Sequence, residues 1–165
     1  MSGADSAAGS TAPSGSSPQQ ETLAPAGKTK SVLFVCNQNA VRSPMAEALA
    51  YRHGKRRMFV ESTGLIAGAL DPFSVAAMAE VGIDIQDHTP KPLGSIDLGL
   101  FDLIITLTPE SHAHIKKLNL AEKTRLEYWA TPDPSDAEGN RNQVMDSYRL
   151  VRDRLEVQIA DKFPF

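Results

Sequence analysis

Two neighbouring features constrain the fold of this chain most. An apolar run ends at a lone cysteine, and a proline that is typical of a helix start follows eight residues later. Residues 31–35 read SVLFV, a β-branched run typical of a strand buried on both faces. Pro44 suits the first position of a helix, with Ser43 as the expected N-cap and Gly54 just past the helix end. Residues 36–43, here called the cysteine loop, are therefore predicted to join a first strand to a first helix.

Strand and helix patterns alternate along the rest of the chain. We expect strands at 58–63, 101–107 and 125–129, and helices at 72–81, 109–118 and 142–161, with a Pro/Asp/Gly loop at 130–141. Such alternation is typical of βαβ units and a parallel sheet. The predicted fold is a single α/β domain over residues 30–165, a four-stranded parallel sheet with helices on both faces.

The first 29 residues differ sharply in composition from the rest. They are rich in Ser, Ala, Gly and Pro, and Leu23 is their one large aliphatic residue. Such a segment buries too little apolar surface to offset the entropy lost on ordering. We expect residues 1–29 to form a disordered tail.

Charge and cysteine content narrow the classes of function. The 165 residues carry a net charge of −3, which predicts neither a nucleic-acid nor an anionic-membrane partner. The single cysteine and the lack of a signal-peptide pattern suit a reducing cytoplasm. No apolar run approaches the roughly 20 residues needed to span a bilayer. Because the net charge is negative, any anion site in this chain must be formed by local groups, namely an arginine and oriented backbone N–H groups.

The cysteine loop carries residues that suit an oxyanion site. It follows the carboxyl end of a strand, where open α/β sheets bind ligands, and precedes a helix N-terminus, which favours anions. Asn37 and Asn39 tolerate left-handed backbone, which helps the loop to curl so that its N–H groups converge. The guanidinium of Arg42 can bind two oxygens of one anion. The candidate anion-binding residues are Cys36, Asn37, Gln38, Asn39, Ala40, Val41, Arg42 and Ser43.

Simpler interpretations of Cys36 and Ser43 remain open. A lone cysteine at a strand end is often only a small buried hydrophobic residue. Ser43 can cap the helix, donate its hydroxyl to the Cys36 sulfur, or do both. A helix N-terminus and a nearby arginine favour the thiolate, so the whole pattern favours a reactive Cys36 over an inert one.

The segment VLFVCNQNAVRSPMAEAL, residues 32–49, resembles the phosphate-binding loop and first helix of low-molecular-weight protein tyrosine phosphatases and their arsenate reductase relatives. Both groups share a C-x-x-N-x-x-R-S pattern between a first strand and a first helix. The similarity spans residue 31 to the C-terminus and continues through ESTG (61–64), MAEVGIDI (78–85), FDLII (101–105), YW (128–129) and DP (133–134).

The resemblance implies a double displacement on phosphorus. Cys36 would attack as the nucleophile, while Arg42 and the loop amides hold the phosphoryl oxygens. Asp133 resembles the family's general acid by its position after the last strand, with Asp136 as the reserve candidate. A plain proline-rich turn is the alternative interpretation of this Asp-Pro pair. No metal or other cofactor is implied.

Three departures from the family pattern bear on the substrate. Ser135 and Asp136 follow Asp133 in place of the usual aromatic residues, and the loop at 64–70 also lacks an aromatic. Each lost ring contact weakens an aryl substrate by about 0.5–1.5 kcal/mol. Gln38 replaces the usual glycine of the loop. Thr108 stands near the place where thioredoxin-coupled reductases carry a further cysteine, so an internal thiol relay is excluded.

Three hypotheses about function follow. The leading one is a phosphomonoester hydrolase with a cysteinyl-phosphate intermediate, acting on a phosphorylated protein or a small phosphomonoester. The second is an arsenate reductase that passes its product to an external thiol. The third is a catalytically weak module that binds phosphate or phosphoproteins. Asp133 favours the first, because a binding module needs no proton donor.

Overall fold

The computed structural model of the chain describes residues 29–55 and 57–165. The tail predicted for residues 1–29 therefore lies outside the described residues, apart from Thr29. No helix in the described part of the chain is long and apolar enough to cross a membrane.

Four parallel strands form one sheet in the order β2-β1-β3-β4. Their bounds are Ser31–Cys36 (β1), Phe59–Gly64 (β2), Leu103–Thr106 (β3) and Arg125–Tyr128 (β4). All six residues of the central strand β1 are buried, as a continuously apolar run predicts. Because the strands are parallel, their carboxyl ends meet at one edge of the sheet, and β1 ends there with Cys36.

Four helices cover both faces of the sheet. They are α1 (Arg42–Gly54), α2 (Pro72–Ala79), α3 (Pro109–Lys116) and α4 (Arg141–Lys162). Helices α1, α2 and α4 pack on the face of β1 that carries Phe34, whereas α3 packs through Ile115 on the face that carries Leu33. The predicted α/β architecture, with a four-stranded parallel sheet between two layers of helices, is confirmed.

The N-cap prediction for the first helix is wrong. Helix α1 begins at Arg42, Val41 is its N-cap, and no side chain caps it. The Ser43 hydroxyl lies inside the first turn and contacts Cys36 and Asn39 instead. At the other end, Lys55 takes the left-handed conformation (φ 55°), so Gly54 is the last helical residue rather than the one beyond it.

The other predicted bounds of helices and strands differ from the observed ones by at most two residues. Strand β3 starts at Leu103, two residues later than predicted, because Phe101 is the C-cap of a 3-10 turn at Leu98–Leu100. Helix α2 ends at Ala79, where turn hydrogen bonds replace the helical ones and Gly82 adopts a φ of +80°. Helix α4 begins at Arg141, because Asn140 and Gln143 form a capping box.

Candidate active site

The cysteine loop turns its carbonyl groups outward. The carbonyl oxygens of Cys36, Asn37, Gln38 and Ala40 accept hydrogen bonds of 2.8–3.1 Å from backbone N–H groups of residues 65–71. Within the described part of the chain, the N–H groups of residues 37–41 donate no hydrogen bond. Several backbone donors of the loop are thus without a protein acceptor in the described part of the chain.

The Cys36 thiol lies at the base of this loop and is 2% exposed. Its sulfur is 2.9 Å from Ser43 Oγ. The Ser43 hydroxyl also accepts a hydrogen bond from Asn39 Nδ2 at 2.8 Å. A hydroxyl held in this way can donate to the sulfur and stabilise it as a thiolate, both before attack and when it leaves.

Arg42 joins the loop to the segment after β4. Its Nη1 donates to the carbonyl oxygen of Thr131 at 3.0 Å, and its Nη2 lies 3.6 Å from Asp133 Oδ2. The residue is 8% exposed, and its Nε has no hydrogen-bond partner in the described part of the chain. A buried guanidinium N–H without an acceptor is costly, so this group is suited to receive an oxygen of a bound oxyanion.

Ser135, which stands where the family usually has an aromatic residue, holds the side chain of Asp133. The backbone N–H and the hydroxyl of Ser135 both donate to Asp133 Oδ1, at 2.9 and 2.6 Å. These bonds leave Oδ2 directed at Arg42. The reserve candidate, Asp136, is exposed and forms no ion pair with Arg42. Of the two candidate carboxyl groups, Asp133 is therefore the one that faces Arg42.

Asn39 organises the back of the loop. It takes a left-handed φ of 54°. Its Nδ2 donates to Ser43 Oγ and to Ser62 Oγ, while its Oδ1 accepts from the Lys91 N–H at 2.9 Å and lies 3.0 Å from His88 Nε2. Sequence reasoning considered the backbone of Asn39 but none of these side-chain partners.

A histidine–carboxyl pair lies behind Asn39. His88 Nδ1 is 3.8 Å from Glu47 Oε1, and the Ser62 hydroxyl donates to the same oxygen. Burial raises the pKa of Glu47 and lowers the pKa of His88. Both shifts favour the neutral forms. The pair contacts the loop through His88 Nε2, which lies 3.0 Å from Asn39 Oδ1.

A second set of contacts anchors the front of the loop to α3. Asn37 Oδ1 accepts from the hydroxyl of Thr108, the N-cap of α3, at 2.7 Å. Asn37 Nδ2 donates to Glu110 Oε1 at 3.3 Å. Sequence reasoning noted Thr108 only as the place of a missing cysteine and did not single out Glu110. The available sequence signal for this anchoring role was the Thr-Pro pair at the start of α3.

Gln38 fits the loop because a glycine faces it. A Cβ added at Gly68 would lie 2.6 Å from Gln38 Oε1 and 2.9 Å from Gln38 Cβ. The Gly68 N–H donates to the Gln38 carbonyl oxygen at 2.8 Å. The bare backbone of Gly68 therefore makes room for the larger residue without loss of the loop's shape.

No cluster of three or more His, Cys, Asp or Glu side chains in residues 29–55 and 57–165 could hold a metal ion. The site consists of one cysteine, one arginine, one carboxyl group and backbone amides. These groups can bind an oxyanion, attack its central atom and transfer a proton.

Comparison with known proteins agrees with this geometry. The family model described as low molecular weight phosphotyrosine protein phosphatase matches residues 31–162. The arsenate reductase of Bacillus licheniformis is 34% identical to this chain, over 79% of it and 92% of the relative. The glutaredoxin arsenate reductase of Synechocystis is 40% identical, over 80% of this chain and 95% of the relative.

A solved tyrosine phosphatase shares the fold. The crystal structure of the Erwinia amylovora enzyme amsI superposes with a TM-score of 0.63 and 25% sequence identity, covering 82% of this chain and 91% of that one. The family model matches well over half of the residues, and the relatives are matched over nearly their full length. The chain belongs to the low molecular weight phosphotyrosine protein phosphatase family.

Proposed function

We propose that this chain is a phosphomonoester hydrolase that acts through a cysteinyl-phosphate intermediate. The observation that carries the proposal is the set of unused donors around Cys36. They are the free N–H groups of residues 37–41 and the buried, unpartnered Nε of Arg42. A tetrahedral dianion presents several oxygens at once and can accept from all of these donors.

In the first step, the Cys36 thiolate attacks phosphorus in line with the leaving oxygen. Arg42 and the loop amides bind the three remaining oxygens, on which negative charge develops. Asp133 gives its proton to the leaving alkoxide or phenolate. The products of this step are the free alcohol and the cysteinyl-phosphate.

In the second step, Asp133 accepts a proton from a water molecule, which attacks the phosphorus of the intermediate. The bond between phosphorus and the Cys36 sulfur breaks, and the sulfur leaves as a thiolate. The Ser43 hydroxyl, 2.9 Å from that sulfur, is positioned to donate to it as charge returns. Inorganic phosphate then dissociates.

We further propose that the substrate is a phosphorylated protein or a small phosphomonoester of the cytoplasm. Ser135 supports Asp133 where the family usually has an aromatic residue, so this position offers no ring to stack on a phosphotyrosine. The single cysteine, which supplies the nucleophile, suits a reducing compartment.

The test is hydrolysis of para-nitrophenyl phosphate by the wild type and by Cys36→Ser. We expect turnover by the wild type and none above background by the variant. Trapping of a phosphoryl group on the wild type after rapid acid quench should locate it on Cys36. Turnover that survives in Cys36→Ser would contradict the proposal.

A second candidate, arsenate reduction, is favoured by the names of the relatives. Cys36 would displace water from arsenate to form an arseno-cysteine. An external thiol would then attack the Cys36 sulfur, so that arsenite leaves and a mixed disulfide remains. A second external thiol would restore Cys36. Because the chain has one cysteine, both thiols must come from outside.

The two candidates differ in a measurable way. The hydrolase predicts phosphate release without any thiol consumption. The reductase predicts one disulfide formed from external thiol for each arsenate reduced. Arsenate-dependent thiol oxidation in the absence of phosphatase activity would favour the second candidate over the first.

A further inference from the structure

The carboxylate of Glu110 lies at the edge of the cysteine loop. Its Oε1 accepts a hydrogen bond from Asn37 Nδ2 at 3.3 Å, and its side chain is exposed. The Asn37 amide is oriented by Thr108, whose hydroxyl lies 2.7 Å from Asn37 Oδ1. Because Thr108 is completely buried at the start of α3, these contacts fix the carboxylate beside the residue that follows the nucleophile.

Glu110 is charged and has no cationic partner. Its own backbone N–H, the Asn37 amide and the positive charge of Arg42 lower the pKa of its carboxyl group. In the described residues, no lysine, arginine or histidine forms an ion pair with it. Arg42 instead contacts Thr131 and Asp133. A net negative charge therefore stands next to the proposed phosphoryl site and faces solvent.

We propose that Glu110 is a specificity-determining residue, which favours substrates with a positive charge beside the phosphoryl group and disfavours polyanionic ones. This inference rests on the proposed function of the cysteine loop as a phosphoryl site. A phosphoryl group bound by Arg42 and the loop amides lies next to Asn37, so the flanking part of its substrate passes Glu110. The favoured class is a phosphopeptide with lysine or arginine adjacent to the phosphorylated residue.

The expected effect is moderate because Glu110 is exposed. One charge about 6 Å from another in water changes a binding constant about threefold. A lysine on the substrate is attracted to Glu110, whereas a glutamate at the same position is repelled by it. The affinities for the two substrates therefore differ by roughly tenfold at low salt. High salt screens exposed charges, so this ratio must fall as ionic strength rises.

The test uses two short phosphotyrosine peptides that differ only in a lysine or a glutamate next to the phosphotyrosine. Their Kd values are measured by calorimetry with full-length Cys36→Ser, so that binding is read without turnover. The same measurement is made with Glu110→Gln added, since glutamine keeps an acceptor for Asn37 but loses the charge. Glu122→Gln, at an exposed position before β4, is the matched control for the change in net charge.

We expect tighter binding of the lysine peptide, a ratio that falls close to one with Glu110→Gln, and no such fall with Glu122→Gln. Hydrolysis of the same peptides by proteins that retain Cys36 provides a separate readout. If neither the peptides nor para-nitrophenyl phosphate are hydrolysed but the Kd ratio behaves as expected, the hydrolase proposal fails and the role of Glu110 stands. Equal Kd values for the two peptides, no binding of either, or a ratio unaffected by Glu110→Gln would overturn the role of Glu110.

Discussion

At the scale of single residues, Asn39 does more for the cysteine loop than its place in the motif indicates. It holds a left-handed backbone, and its amide bridges Ser43 beside the nucleophile to Lys91 in a distant loop. Asparagine tolerates this backbone, and its amide both donates and accepts. Few other residues combine these two properties.

Asn39→Ala should damage both stability and activity. Alanine is strained at positive φ and leaves the Lys91 N–H without its acceptor, so we expect a loss of about 2–4 kcal/mol in the free energy of unfolding. Urea denaturation measures this loss. Asn39→Gly is the control, because it removes the amide but not the backbone tolerance. The two variants should therefore differ by about 1 kcal/mol, and equal stabilities would show that the backbone conformation costs little.

Asp133→Asn should reduce hydrolysis in a way that depends on the leaving group. The amide cannot supply a proton, and general acids contribute roughly 10²- to 10⁴-fold. Phenyl phosphate needs that proton more than para-nitrophenyl phosphate, whose leaving group is more acidic. We expect the loss in kcat/KM to be at least about tenfold greater for phenyl phosphate. Equal losses for both substrates would indicate that Asp133 positions Arg42 but does not donate a proton to the leaving group.

At the scale of elements, local signals in the sequence explain what could be predicted. The apolar run before Cys36 and the proline at Pro44 specify β1, the cysteine loop and α1 through contacts between near neighbours. The predicted capping role of Ser43 failed because the helix already begins at Arg42. The Ser43 hydroxyl instead contacts Cys36, Asn39 and, at 3.3 Å, the carbonyl oxygen of Thr63.

The partners behind the loop had no local signal. His88 and Lys91 lie 49 and 52 residues from Asn39, in a loop whose path depends on how α2 packs. No periodicity or spacing relates residues that are this far apart. Asp133, in contrast, was singled out by its resemblance to the family's general acid, and its Oδ2 lies 3.6 Å from Arg42 Nη2.

The contact between the cysteine loop and the 65–71 segment gives a prediction at this scale. Gly68→Ala should destabilise the protein by about 1–3 kcal/mol, because the new methyl group meets Gln38 at less than 3 Å. Gln38→Gly should relieve that clash, so the double variant should be more stable than the sum of the two single changes predicts.

Urea denaturation of the four proteins gives the coupling energy. Gly94→Ala is the matched control, since a Cβ at Gly94 would meet nothing within 4 Å. Additive effects at Gly68 and Gln38, or equal stabilities for Gly68→Ala and Gly94→Ala, would contradict the steric explanation for the fit of Gln38.

At the scale of the whole molecule, Glu80 links the end of α2 to the middle of α4. Arg149 contacts its carboxylate at 2.8 Å and Arg152 at 2.9 Å, while Arg152 also donates to the carbonyl oxygen of Ala77 at 2.8 Å. Helices α2 and α4 lie on the same face of the sheet, and their buried side chains belong to the same core cluster as Cys36. This cluster of charges therefore helps to hold the layer on which the site is built.

These contacts make stability depend on pH in the acid range. The hydrogen bonds from Arg149 and Arg152 lower the pKa of Glu80 from 4.5 to about 2. Because the folded state binds the proton less well than the unfolded state, the contribution is complete above pH 4.5. It is lost as the pH falls towards 2.

Glu80→Gln tests this dependence. The Tm of the wild type should exceed that of the variant at pH 6, and the gap should narrow steadily below pH 4.5 and close near pH 2. Thermal unfolding followed by circular dichroism measures the gap. Glu122→Gln is the same change at an exposed residue on a turn, and its Tm should stay close to that of the wild type at every pH. A gap for Glu80→Gln that stays constant from pH 6 to pH 2 would show that its packing, rather than its charge, joins α2 to α4.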